Sequence, residues 1–223
     1  MGPIEAAPQM VHTFNEQTIV PGPFVTLKCS AMGNPPPDIS WLLDRQPITF
    51  QQQQINSVRV TQNQVVSVGG ETTGHLNISS AQVEDGGEYT CVAKNLAGET
   101  SHSSRLNVYG LPYIRNMPKM TAVSEADVSI KCPVAGYPIM EIAWTRGEEM
   151  LRSGNKYALD HQTGVLNIKS VSQASDKGVY TCTVRDRQGH TARRDFTLDI
   201  VGKLINSSPI HHSIRSNLSN LYK

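Results

Sequence analysis

The chain has no run of about 18 apolar residues of the kind that spans a bilayer. Its opening, MGPIEA, also lacks the basic stretch and apolar core of a secretory leader. It is therefore expected to be an excised piece of a longer secreted or membrane-anchored protein. A nucleophile elbow, a phosphate-binding glycine loop, an HExxH helix and paired CxxC zinc spacing are all missing. Nothing is thus laid out for covalent, phosphoryl or metal chemistry, no cofactor pattern stands out, and the chain reads as a non-enzyme. His211 and His212 are adjacent in an unpatterned tail without further ligands, so no metal site is assigned. An excess of charge is lacking too: 20 Lys and Arg face 19 Asp and Glu, a net of +1. No field points at nucleic acid, and no membrane contact is expected. Cysteine is scarce, with four in 223 residues, which makes the place of each informative.

Those cysteines sit in a pattern stated twice. DGGEYTC, Asp85 to Cys91, follows Cys29 and Trp41; DKGVYTC, Asp176 to Cys182, follows Cys132 and Trp144. Each tryptophan lies 12 residues after its cysteine. Asp85 and Asp176, Cys91 and Cys182, and Gly98 and Gly189 are each 91 apart, whereas Cys29 and Cys132 are 103 apart. The difference reads as one 12-residue insertion between Trp41 and Asp85, placed at the low-complexity QQQQ run from Gln51. Both copies read as immunoglobulin-type sandwiches. In that fold a strand-B cysteine bridges to strand F, a strand-C tryptophan packs on the bridge, and a tyrosine, here Tyr89 or Tyr180, stands two residues before the second cysteine. The fold class is thus all-β, two tandem antiparallel sandwiches of the I-set type. Domain one covers residues 7–109, domain two 110–202, and 203–223 form a tail or appended segment.

Four cysteines allow three pairings; the immunoglobulin reading implies Cys29 with Cys91 and Cys132 with Cys182. Such bridges persist in oxidising compartments, which places the chain outside the cell. An intracellular muscle-type domain with reduced thiols is the alternative that the architecture permits.

Along the chain, Pro8 to Val20 reads as edge strand A. Strand B alternates Val25, Leu27 and Cys29 inward with Thr26, Lys28 and Ser30 outward, and GNPPPDISW makes a stiff turn into strand C. DRQPI reads as the hairpin after strand C, and GHLNISS as strand E with Leu76 and Ile78 inward. Asn77-Ile78-Ser79 is a glycosylation sequon on an outward position, so Asn77 is a glycosylation candidate. Two more sequons, at Asn206 and Asn217, lie in the tail. The joint, Tyr109-Gly110-Leu111-Pro112, is short and apolar and predicts little swing. In domain two, VSIKC is strand B with Ser129 and Lys131 outward, PVAGYPI the B–C turn, NKYALD strand D, and GVLNIKS strand E with Val165, Asn167 and Lys169 outward. Asp85 and Asp176 read as turn-forming carboxylates rather than catalysts. Arg193 and Arg194 read as solvated surface.

The run RLNVYGLPYIRNMPKMTAV, with IKCPVAGYPI and Trp144, resembles the junction of the sixth and seventh immunoglobulin domains of arthropod Down syndrome cell adhesion molecules, the Dscam family. EQTIVPGPFVTLKCSAMGNPPPDISWLLD and HLNISSAQVEDGGEYTCVAKNLAG resemble the sixth domain, so the likeness runs from about Ala7 to Val201. The family consists of alternatively spliced, homophilic cell-surface receptors of neurons and immune cells, with the seventh domain a variable recognition module. The resemblance implies an extracellular part of a single-pass or secreted protein. Its partner would be a second copy of the same isoform, paired in antiparallel two-fold fashion through strands A, B, E and D of domain two. Carried onto this chain, that face holds Met120 and Ala122 on strand A, Ser129 and Lys131 on strand B, Lys156, Ala158 and Asp160 on strand D, and Asn167 and Lys169 on strand E. A two-fold axis near Ala158 would set Lys156 against Asp160 twice. A heterophilic ligand-binding receptor ectodomain is the alternative.

Overall fold

The computed structural model describes residues 4–48 and 59–203. The QQQQ run, the sequons at Asn206 and Asn217 and the pair His211 and His212 lie outside the described residues. The first domain comprises β1 (Ala6–His12), β2 (Gln17–Ile19), β3 (Val25–Asn34), β4 (Asp38–Leu43), β5 (Gln46–Pro47), β6 (Val60–Val66), β7 (Glu71–Ile78), β8 (Gly87–Asn95) and β9 (Gly98–Val108). The second comprises β10 (Gly110–Ile114), β11 (Met120–Val123), β12 (Val128–Lys131), β13 (Val134–Tyr137), β14 (Glu141–Arg146), β15 (Glu149–Met150), β16 (Tyr157–Asp160), β17 (Val165–Ile168), β18 (Gly178–Arg185) and β19 (Thr191–Val201). In domain one a β1-β3-β7-β6 sheet packs on a β2-β9-β8-β4-β5 sheet. In domain two β12-β17-β16 and the β10-β13 pair face β11-β19-β18-β14-β15.

Period-two alternation builds the core between the sheets. Along β3, Val25, Leu27 and Cys29 are buried while Thr26 and Lys28 are exposed. Cys29–Cys91 and Cys132–Cys182 are closed across the layers, spanning 62 and 50 residues. Loops of that length are worth roughly 4 kcal/mol each in the chain-entropy account. Trp144 is 1% exposed, and its indole N–H donates to the Gly164 carbonyl at 3.1 Å, so the buried donor is satisfied.

Both E–F corners are built alike. The Tyr89 hydroxyl donates to the Asp85 carbonyl at 2.6 Å and the Tyr180 hydroxyl to that of Asp176 at 2.8 Å, and burial pushes both phenols upward. Each corner carboxylate also pairs with a cation just before strand D: Arg59 with Asp85 at 2.8 Å and Lys156 with Asp176 at 2.7 Å. The local hydrogen-bonding role read for these aspartates thus extends across the sheet to a partner the sequence did not single out.

Four expectations are corrected. Strand A is not continuous in either domain: β1 and β10 run antiparallel to strand B, whereas β2 and β11 run parallel to strand G on the opposite sheet. In domain one the crossover buries Phe14 against Trp41, ring centroids 5.5 Å apart; in domain two Pro118, with no N–H to donate, lies in the crossover. PVAGYPI is not all turn, because Val134–Tyr137 continues strand B as β13 after a break at Pro133. Arg194 is not simply solvated. It is half-buried beside the core and donates to Asn116 in the crossover, as His102 bonds the Phe14 carbonyl in domain one.

The 12-residue difference, finally, is not one insertion. Val60 and Tyr157 both face the strand-E isoleucine and are 97 apart, whereas the tryptophans are 103 apart and the isoleucines, Ile78 and Ile168, are 90 apart. Domain one is therefore longer both before strand D and in the D–E hairpin, where β6 and β7 have 7 and 8 residues against 4 and 4 in β16 and β17.

Burial alone would raise the Asp176 carboxyl, but hydrogen bonds from Lys156, the Ser172 amide and the Ser175 hydroxyl outweigh it and hold the group below the usual carboxylate range. A carboxyl depressed on folding contributes stability that is present above its unfolded value, about pH 4, and lost as pH falls through the folded one. Asp176→Asn is expected to cost about 1–3 kcal/mol at neutral pH and to flatten the acid limb of stability below about pH 4. Urea unfolding across a pH series measures both.

Candidate recognition surface

The β12-β17-β16 sheet presents two outward rows. Ser129, Asn167 and Ala158 are in register in one, and Lys131, Val165 and Asp160 in the next. Lys156 and Lys169 extend the face, the Lys169 amide donating to the Lys156 carbonyl at 3.0 Å. Met120 and Ala122 are not on this sheet. They lie on β11, paired with β19 in the opposite layer, and both pack half-buried against the core. Their inclusion followed from reading strand A as one edge strand, and the crossover removes it.

Of the remaining positions, several are committed within the chain. Lys156 donates to the Asp176 carboxylate at 2.7 Å and to the carbonyls of Lys169 and Ser170 at 2.9 and 3.1 Å, so it is not free to face Asp160 of a second copy. The Asp160 carboxylate accepts the Gln162 and Thr163 amides at 2.9 and 3.1 Å, closing the turn after β16; the nearby Thr163 side chain first, and these two amides after it, hold the group below the usual carboxylate range. Ser129 accepts from Arg45 of domain one at 2.9 Å. Val165, expected outward and wet, is only 9% exposed. Among the described residues Ala158, Asn167 and Lys169 make no side-chain hydrogen bond or ion pair.

Lys131 is the largest departure, its side chain only 2% exposed. Its ammonium contacts Glu88 at 2.7 Å and Asp44 at 3.4 Å, both in domain one. Asp44 and Arg45 both have positive φ, 46° and 68°, forming the tight hairpin between β4 and β5. Aspartate tolerates that conformation, and the turn aims its carboxylate at domain two, where it also pairs with Arg115. The Arg115 guanidinium reaches on to the carbonyls of Glu84, at 2.7 Å, and Gly86. A side chain at Gly87 would collide, since a Cβ there would lie 2.6 Å from the Arg115 guanidinium and 2.8 Å from the Asp44 carboxylate. Two cations and two anions thus neutralise one another across the joint, and Tyr109 meets Tyr137 edge-on at 5.2 Å beside it.

Sequence reasoning missed Asp44, Glu88 and Arg115, which are ordinary turn and strand residues until the domains dock. The one signal was the brevity of the joint, with only Tyr109 between β9 and β10. Among the described residues no three His, Cys, Asp or Glu side chains are grouped to hold a metal ion. The arrangement suits docking: an outward strand face with small and polar side chains at Ala158 and Asn167, on a domain tied to its neighbour by ion pairs.

The immunoglobulin I-set domain model matches residues 8–108 and 112–200. The chain is 48% identical over 197 residues to the cell adhesion molecule Dscam2 of Drosophila melanogaster, a match covering 88% of this chain and 9% of that protein. Identity to Dscam1 of the same organism is 41% over 194 residues, 87% of this chain and 9% of that one. The crystal structure of the N-terminal eight immunoglobulin domains of Down syndrome cell adhesion molecule superposes with a TM-score of 0.82 at 40% identity, over 90% of this chain and 25% of that chain. The chain therefore spans about a tenth of the length of the curated relatives it matches.

Lys131 and Lys28 occupy the same strand-B position in the two domains, yet Lys28 is exposed. Lys131→Ala leaves the buried Asp44 and the adjacent Glu88 short of a cation and is expected to cost about 3 kcal/mol. Lys28→Ala should change stability by less than about 0.5 kcal/mol. Denaturant unfolding of the two variants side by side checks the contrast, with small-angle scattering reporting whether the joint loosens.

Proposed function

Since the chain belongs to the immunoglobulin I-set family, with two domains homologous to a stretch of the Dscam cell adhesion molecules, we propose that it is an extracellular recognition segment binding a second copy of the same isoform. The two domains correspond to the sixth and seventh of those receptors. Self-binding runs through the β12-β17-β16 face of domain two in antiparallel two-fold fashion, in the service of neuronal self-recognition and, in a family that also acts in immune cells, of immune recognition. The observation that supports it most is the row of Ala158 and Asn167, left without side-chain partners among the described residues at the middle of a face on which Lys156 and Ser129 are already committed within the chain while Lys169 is not.

An isologous contact needs self-complementarity. Lys169 and Asp160 stand on opposite sides of that row, so a two-fold axis through it brings Lys169 of each copy over Asp160 of the other. This replaces the Lys156–Asp160 pairing, because Lys156 is held by Asp176. Ala158 at the axis lets the sheets approach. A heterophilic ligand would use the same face without the symmetry requirement.

Sedimentation of Ala158→Arg is expected to show a monomer where the parent self-associates, at unchanged melting temperature. Lys169→Glu should weaken self-association several-fold, with the mixture of variant and parent falling between the two homodimers, since exposed pairs contribute about 0–1 kcal/mol each. A parent that stays monomeric at high concentration, or association indifferent to Ala158→Arg, would transfer the role to a foreign ligand or another face.

A further inference from the structure

The two domains carry the same tripeptide, Leu-Asn-Ile, at the same place in strand E, and differ in the residue that follows: Ser79 in domain one, Lys169 in domain two. The equivalence is structural as well as sequential. The Ser79 amide donates to the Arg59 carbonyl at 2.8 Å, and the Lys169 amide donates to the Lys156 carbonyl at 3.0 Å. Arg59 and Lys156 are in turn the cations paired with the two corner aspartates. Asn77 therefore holds in domain one the position that Asn167 holds at the middle of the docking face of domain two.

Asn77 is presented for modification. It points outward near the end of β7, an inner strand of the four-stranded sheet, in register with Thr26 on one side and Thr61 on the other. The Thr26 hydroxyl donates to its amide oxygen at 2.9 Å, which fixes the side chain by its oxygen and leaves the nitrogen, the atom a glycan would occupy, without a partner among the described residues. Ile78 between them is fully buried, whereas Ser79 is exposed. A glycosyl chain at Asn77 would extend from the solvent side and disturb no core contact. We propose that Asn77 carries an N-linked glycan that shields the β1-β3-β7-β6 face of domain one, and that Lys169, replacing the sequon hydroxyl, keeps the matching face of domain two bare. One side chain then decides which of two similar faces can dock. The inference rests on the extracellular, self-binding reading, because the transfer takes place in the secretory pathway.

The test is to secrete the chain from animal cells behind a cleavable leader, titrate its thiols, and treat it with N-glycosidase F in heavy-oxygen water before peptide mass spectrometry. Oxygen-labelled aspartate at position 77, absent in Asn77→Gln and retained or increased in Ser79→Thr, is the expected result. Unmodified Asn77 in secreted protein free of thiols overturns the inference and leaves the proposed function intact; retention in cells with reduced cysteines overturns both. In a second arm, Lys169→Thr creates a sequon at Asn167. Its glycosylated form is expected to lose self-association while Asn77→Gln retains it. Association that survives a glycan at Asn167 overturns the docking face without touching the assignment of Asn77.

Discussion

Each sandwich is organised by the cross-sheet pin of a buried disulfide with its tryptophan. The pin fixes which strand parity is core, so it also fixes which parity is face. Cys132 and Cys182 are 1% and 0% exposed, and every second residue of β12, β17 and β16 is turned away from them. A one-residue slip of a strand would carry its face residues into the core and its core residues into water, which is why the register is firmly held. The outward rows are therefore a consequence of the core, and the ladders of these three short strands run without a bulge.

The joint acts on that face from the side. Asp44 and Arg45, turned toward domain two by a tight hairpin, occupy Lys131 and Ser129 and so cover the strand-B end of the sheet. What is left open is the strand D and strand E part, furthest from the joint. At the joint itself two carboxylates and two cations meet, Asp44 and Lys131 almost fully buried. Such a cluster favours a defined mutual placement of domains more than it favours raw stability, because desolvation offsets much of the Coulombic gain. For a recognition segment, placement is the useful property, since a face on a swinging domain pays an ordering cost on binding.

The duplication makes the two domains controls for each other. Corner tyrosine, corner aspartate, strand-D cation, bridge and tryptophan recur, and the positions that differ are the informative ones. Arg194 and His102 hold the strand-A crossover by different chemistry at the same site. The D–E hairpin of domain one is longer, which lengthens two strands of its four-stranded sheet, with Thr72 and Gly74 buried on the inner side.

Cysteine, tryptophan and tyrosine spacing, with period-two alternation, was enough to read two all-β sandwiches, their inward residues and the outward place of Asn77, because each of those depends on neighbours a few residues away or on a repeated pattern. The strand-A crossover was not legible: Met120 and Ala122 alternate like any edge strand, and choosing between the sheets depends on which strand lies beside them. Nor was the fate of Lys131. Lys28 and Lys131 are the same residue at the same position on the same strand, one solvated and one buried in a charge cluster. The chain itself determined the sandwiches, whereas only the docking of the domains decided which outward residues stay outward, since a charge is desolvated by whatever comes to lie over it in space.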